Sequence, residues 1–176
     1  IEQDVPYPPV VDVNRVNVCE GYAPAENPNL LDNVAWAFND KIYESLQNFW
    51  MAVYDYNQDI DNNLDDLAPH STIFNSKKVK VMYEAYIKDE KSLWKYEKLL
   101  NPDTFDEEPE NDGLYYAEIM AECEAYEDHF GAIELLQWIH NSLANKELGD
   151  HIFFEGFTIE GYEEDGTPVI SLELGS

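Results

Sequence analysis

The amino-acid sequence predicts an α+β fold: a mainly helical single domain of four to five helices with a C-terminal β-hairpin and a Pro-rich N-terminal arm. Three observations predict it. Apolar residues recur at three- and four-residue intervals through most of the chain, the period of an amphipathic helix. Residues 151–175 alternate instead, the period of a strand. Five of the nine prolines fall within the first 29 residues, in "VPYPPVV" and "YAPAENPN", and proline favours extended and turn conformations.

Each element follows in order. Residues 1–29 read as an extended arm. Residues 30–56 read as the longest helix, because Leu30, Leu31, Val34, Phe38, Ile42, Leu46, Phe49, Trp50, Val53 and Tyr54 share one broad face and Asn29 is placed to cap it. "DYNQDIDNNLDDLAPHS" at 55–71 is a polar connector. Shorter helices are expected at 76–87 and 89–100, then an exposed acidic loop at 101–113, rich in turn residues. Residues 114–129 and 131–145 read as two more helices parted near Gly131, the second with Leu135, Leu136, Ile139 and Leu143 as its apolar stripe. "HIFFEGFTIEGY" and "PVISLEL" flank Asp165-Gly166, a hairpin turn signal. Residues 30–176 are expected to form one domain.

A chain of 176 residues, 44% hydrophobic and 14% aromatic, can bury a core, which disordered acidic chains cannot. No apolar run approaches the roughly 18 residues of a membrane span, so no membrane association is expected. The chain begins at Ile1 without a Met, which suggests that processing or design removed something upstream, and no signal peptide is visible. A cytoplasmic location is expected. Cys19 and Cys123 show no metal-binding or redox spacing, and Cys123 reads as a buried free thiol.

Charge is the outstanding feature. Acidic residues number 37 against 10 basic ones, a net −27, whereas solubility needs only about 2 to 8 net charges in a small domain. The excess destabilises the compact state by self-repulsion, so it points to a positively charged partner. The charge is also polarised. Residues 73–100 carry seven lysines against four acids, while residues 101–176 carry 20 acids and one lysine.

The candidate partner-binding face is Asp103, Asp106, Glu107, Glu108, Glu110 and Asp112, continuing into the expected helix as Glu118, Glu122, Glu124, Glu127 and Asp128. One-turn spacing would pair Glu118 with Glu122 and Glu124 with Asp128. Like charges so placed destabilise a helix by about 0.2–0.5 kcal/mol per pair, and no lysine relieves either. Glu155, Glu160, Glu163, Glu164 and Asp165 around the hairpin would extend the face. Tyr115, Tyr116 and Tyr162 are candidate contact aromatics.

Other chemistry is weakly encoded. Asp55, Asn57, Asp59, Asp61, Asn63 and Asp66 fall on the ligand positions of a calcium-binding EF-hand loop, but Ile60 stands where the bend requires Gly and Asp66 where a bidentate Glu is required. Glu118, Glu122 and His129 would share a helical flank but make a poor metal site on one helix alone. Phosphate loops, GxSxG and HExxH are missing, so no catalytic residue, cofactor or metal is expected. Trp50, Trp94 and Trp138 read as core. The sign of the field opposes direct nucleic-acid binding.

In charge, size and aromatic content the chain resembles the acidic DNA-mimic inhibitors of phages and mobile elements and the acidic immunity proteins that block nuclease toxins. That resemblance implies a non-enzymatic inhibitor occupying the basic nucleic-acid-binding surface of a partner, such as a restriction, CRISPR or toxin nuclease. The alternative reading is a structural or assembly protein using arm and hairpin for inter-subunit contacts, and a homodimer is compatible with either.

Overall fold

A computed structural model describes residues 25–176. The expected arm at 1–29 therefore lies almost wholly outside the described residues, as does Cys19. Among the described residues the fold is mostly β, with two α-helices and seven strands, and the mainly helical reading is overturned.

The elements are α1 (Leu46–Asp59), β1 (Thr72–Phe74), β2 (Lys78–Ile87), β3 (Glu97–Leu99), β4 (Tyr115–Glu124), β5 (Phe130–Gly131), α2 (Ala132–Leu143), β6 (Phe153–Tyr162) and β7 (Pro168–Gly175). Five strands form a sheet in the order β3-β4-β2-β7-β6, and β1 pairs with β5 in a separate ribbon. Within the large sheet only β2 and β7 run parallel.

The expected helix at 30–56 survives only from Leu46, where the Ser45 hydroxyl accepts from the Asn48 N–H at 3.2 Å. Upstream the burial period is two: Val34, Trp36 and Phe38 point inward. Their segment runs beside β6, with Phe38 N–H to Ile152 O at 2.8 Å and Phe154 N–H to Trp36 O at 2.9 Å. The helices expected at 76–87 and 114–129 are β2 and β4, paired antiparallel along their whole length from Lys78↔Glu124 to Ile87↔Tyr115. That expected at 89–100 is a short 3₁₀ turn at Glu90–Ser92 followed by β3.

The sheet has one buried and one open face. Val79, Val81, Tyr83, Ala85 and Ile87 of β2 and Ala117, Ile119, Ala121 and Cys123 of β4 point inward. The buried side of β4 is small, which lets α2 pack close. This helix contacts β4 on one side and α1 on the other, and every one of its residues is buried. A helix covered all round must satisfy most of its polar groups within the protein. Glu134 accepts from the Gly131 N–H at 3.2 Å and the Tyr126 N–H at 3.1 Å, closing the helix start. Asn141 accepts from the Tyr43 N–H at 2.9 Å and donates to Tyr43 O at 2.8 Å. Just past α2, Lys146 and Glu97 form an ion pair at 2.8 Å with both side chains fully buried, tying edge strand β3 to the helix. β6 and β7 form an antiparallel hairpin whose turn includes Gly166 at φ 89°, a left-handed conformation suited to glycine.

Candidate docking surface

The open face of the sheet is built by strand alternation. Its rungs between β2 and β4 read Lys78↔Glu124, Lys80↔Glu122, Met82↔Met120, Glu84↔Glu118 and Tyr86↔Tyr116. On β7 the matching side chains are Val169, Ser171 and Glu173, and Ser171 pairs with Thr158 of β6. Ser171 donates to Glu160 at 2.8 Å, and Thr158 donates to Glu173 at 2.6 Å, which places both carboxylates on this face.

The two ends of this face differ electrostatically. At one end carboxylates meet lysines. Lys78 Nζ lies 3.1 Å from Glu122, and Lys80 is bonded to Glu163 in the turn between β6 and β7. These bonds raise both lysine pKa values, through Glu122 for Lys78 and Glu163 for Lys80. Lys95 and Lys98 line a shallow pocket with Lys80, Glu122 and Glu124. The Asp165 carboxyl is held below its usual range chiefly by the Thr167 N–H, at 2.9 Å.

At the other end acids meet acids and tyrosines. Glu84 faces Glu118 directly. Tyr116 is pushed well up, first by burial and then by its hydrogen bond to Glu84, and Tyr86 is raised chiefly by the charge of Glu110. Glu110 belongs to the acidic loop at 101–113, so that loop adjoins this end. Phe105 anchors it, its ring centroid 5.1 Å from that of Tyr115.

The sequence-predicted residues are thus partly brought together. Asp103, Asp106, Glu107, Glu108, Glu110 and Asp112 are exposed on one loop. Glu118, Glu122 and Glu124 do share a face, but as alternate residues of a strand and not one helical turn apart. The expected Glu118–Glu122 and Glu124–Asp128 helical pairs do not exist. Lys78 and Lys80 stand opposite Glu124 and Glu122, so the unrelieved array shrinks to Glu118 and the loop. Glu127 and Asp128 lie in the turn after β4, with Glu127 3.8 Å from His129. Glu160 joins the open face, whereas Glu163, Glu164 and Asp165 sit at the lysine-bearing end. Tyr116 and Tyr162 are exposed, and Tyr115 is half-buried.

The sequence reading missed Glu84, Glu173 and Met82, which alternation in "KVKVMYEAYI" and "PVISLEL" would have placed on the open face. The EF-hand spacing at 55–66 is not a loop at all in its first half. Asn57 lies in α1, fully buried, donating to Ala35 O at 2.8 Å and Val53 O at 2.7 Å. His129 is parted from Glu118 and Glu122 by the turn after β4, which removes the helical flank they would have shared.

What fold and surface define together is an α+β protein with a helix-backed sheet whose open face is acidic at one end and charge-paired at the other. No family model matches the chain, and no match was found to it among curated proteins or solved structures. Among the described residues, no helix is long and apolar enough to cross a membrane.

Proposed function

We propose that this protein is a non-catalytic binding protein that acts in the cytoplasm by occupying a basic surface on another macromolecule. The partner that fits best is a nucleic-acid-binding protein, such as a nuclease, whose phosphate-binding surface would be blocked. The observation that carries the reading is the acidic end of the open face, where Glu84 and Glu118 oppose each other beside the exposed loop carboxylates 103–112. Uncompensated carboxylates mounted on a paired strand are already ordered, so a cationic partner gains their charge without ordering them first. The lysines opposite Glu122 and Glu124 confine this role to one end, and the docking face is correspondingly smaller than the full run of acids in the sequence.

Strand addition by the hairpin, the basis of an assembly role, is disfavoured by edge strand β6. Its ladder shifts register between Phe154 and Phe157 and again between Ile159 and Gly161, and irregularities of this kind blunt an edge.

The test is to isolate a partner from the native host at low salt, then measure affinity against salt and against duplex DNA. Affinity is expected to fall at least tenfold between about 0.1 M and about 1 M salt, and DNA is expected to compete. A partner bound equally well across that range would overturn the reading.

A further inference from the structure

The five-stranded sheet is split. β2 and β7 pair only over Lys80↔Val169, Val81↔Ile170 and Met82↔Ser171, although β2 runs on to Ile87 and β7 to Gly175. Farther along, Tyr86 bonds the Glu147 backbone in both directions, at 2.8 and 3.0 Å, so that side of β2 is closed again. Between ladder end and bridge stands Glu84. Backbone direction alternates along a strand, so the Glu84 N–H and C=O point the same way as those of Met82 and Tyr86, into the gap.

A slot of about 550 Å³ opens there. Met82, Leu100, Leu172 and Leu174 give it apolar walls, and Glu84, Glu118 and Glu173 give it carboxylates. Among the described residues, no lysine or arginine lines it. Like charges directly opposite in a ladder destabilise it. The same two strands match lysine to glutamate at their other end, so the Glu84–Glu118 rung stands out as uncompensated within one ladder.

We propose that this slot is the docking site for an extended basic segment of a partner protein, one whose Lys or Arg side chains alternate with apolar ones. The cations meet Glu84, Glu118 and Glu173, the apolar side chains settle on Met82, Leu172 and Leu174, and the segment's backbone bonds the open Glu84 groups, as in recognition by strand addition. Charge repels a phosphate chain from the slot, and a small polycation would leave the apolar walls unused. The inference rests on the proposed role in binding basic surfaces and narrows it to one place and one backbone form.

The experiment uses the full chain and two fluorescent peptides of about nine residues, a length suited to a strand. One alternates Lys with Leu; the other has the same composition in two blocks. Anisotropy at low salt is expected to show the alternating peptide binding at least about tenfold tighter than the block peptide. Glu84→Gln with Glu118→Gln, which removes charge without changing shape, is expected to weaken it about tenfold. Asp32→Asn with Glu44→Gln, two exposed acids in the segment before α1, should change it by no more than about twofold.

Equal binding of both peptides, equal loss from both double variants, or no binding of either peptide overturns the slot. So does a concentration-dependent dimer that the first double variant abolishes, because the occupant would then be a second copy. A partner isolated at low salt that the first double variant still holds with unchanged, salt-sensitive affinity also overturns the slot, but leaves the basic-surface reading standing. Loss of salt sensitivity removes that reading itself.

Discussion

His140 shows how a single residue couples burial to pH. Its ring sits fully buried among Trp36, Phe38, Tyr43 and Phe49, with centroids 5.2 to 5.9 Å away. Nδ1 accepts from the Trp36 indole N–H at 3.0 Å, so the proton of the neutral ring is on Nε2, which donates to Lys41 O at 2.7 Å. A second proton would break the Trp36 bond and leave a charge among aromatic rings. Burial accordingly lowers the His140 pKa to about 4, partly opposed by the Lys41 carbonyl. An unfolded histidine titrates near 6.5. Between those values the unfolded chain takes up the proton first, so the contribution is full above about pH 6.5 and is lost as pH falls towards 4. The full loss should amount to about 3 kcal/mol, of which about 2 kcal/mol falls between pH 7 and pH 5. Urea unfolding at pH 7 and pH 5 measures it, against a His140→Phe variant that cannot titrate. The variant should be less stable at pH 7 and show a smaller drop between the two pH values. An equal drop in both proteins would assign the acid sensitivity to other groups.

Among the elements, β4 carries opposite electrostatics on two rungs of one ladder, and one substitution made at each should have opposite effects. Glu118→Lys replaces a repulsive rung with an attractive one facing Glu84, and is expected to stabilise by about 0.2–1 kcal/mol. Glu122→Lys sets lysine against Lys80 and breaks the 3.1 Å bond to Lys78, and is expected to destabilise by a similar amount. Thermal midpoints of the two variants should therefore move in opposite directions. Movement the same way would mean that net charge, and not register, governs this face. These strands were hard to read because two periods fit them. In β2, Val79, Met82, Tyr83, Tyr86 and Ile87 match a helix as well as Val79, Val81, Tyr83, Ala85 and Ile87 match a strand, since Met82 and Tyr86 are apolar residues on the open face. In β4 the Ala, Glu and Met content favours a helix locally, and ten rungs of pairing with β2 override that preference. α2 was legible because Leu135, Leu136, Ile139 and Leu143 form a stripe only a helix makes. The hairpin was legible from alternation around Asp165-Gly166. Of the site, the acids of the exposed loop could be read directly. The slot could not, because it depends on where two strands distant in sequence stop pairing.

For the whole molecule, the balance between repulsion and pairing decides how salt acts. The chain carries a net −27, and residues 101–176 hold 20 acids with one lysine, Lys146, which is buried against Glu97. Among the described residues, the exposed pair Lys78–Glu122 and the half-buried pair Lys80–Glu163 relieve only a fraction of the excess. Exposed ion pairs contribute about 0–1 kcal/mol each, so weakening them with salt removes little. Screening the remaining repulsion acts on many groups at once, because the Debye length falls from about 10 Å at 0.1 M to about 3 Å at 1 M. Salt should therefore stabilise the fold, whereas a charge-balanced protein would change little. The urea midpoint is expected to rise between about 0.1 M and about 1 M NaCl. MgCl₂ at matched ionic strength separates screening from specific cation capture: equal midpoints indicate screening, and a higher midpoint in MgCl₂ would mean that a carboxylate cluster holds the ion. A midpoint that fell with NaCl would show that the few ion pairs outweigh the repulsion. The acidic excess would then be no burden on the fold, and the case for a cationic partner would lose its energetic basis.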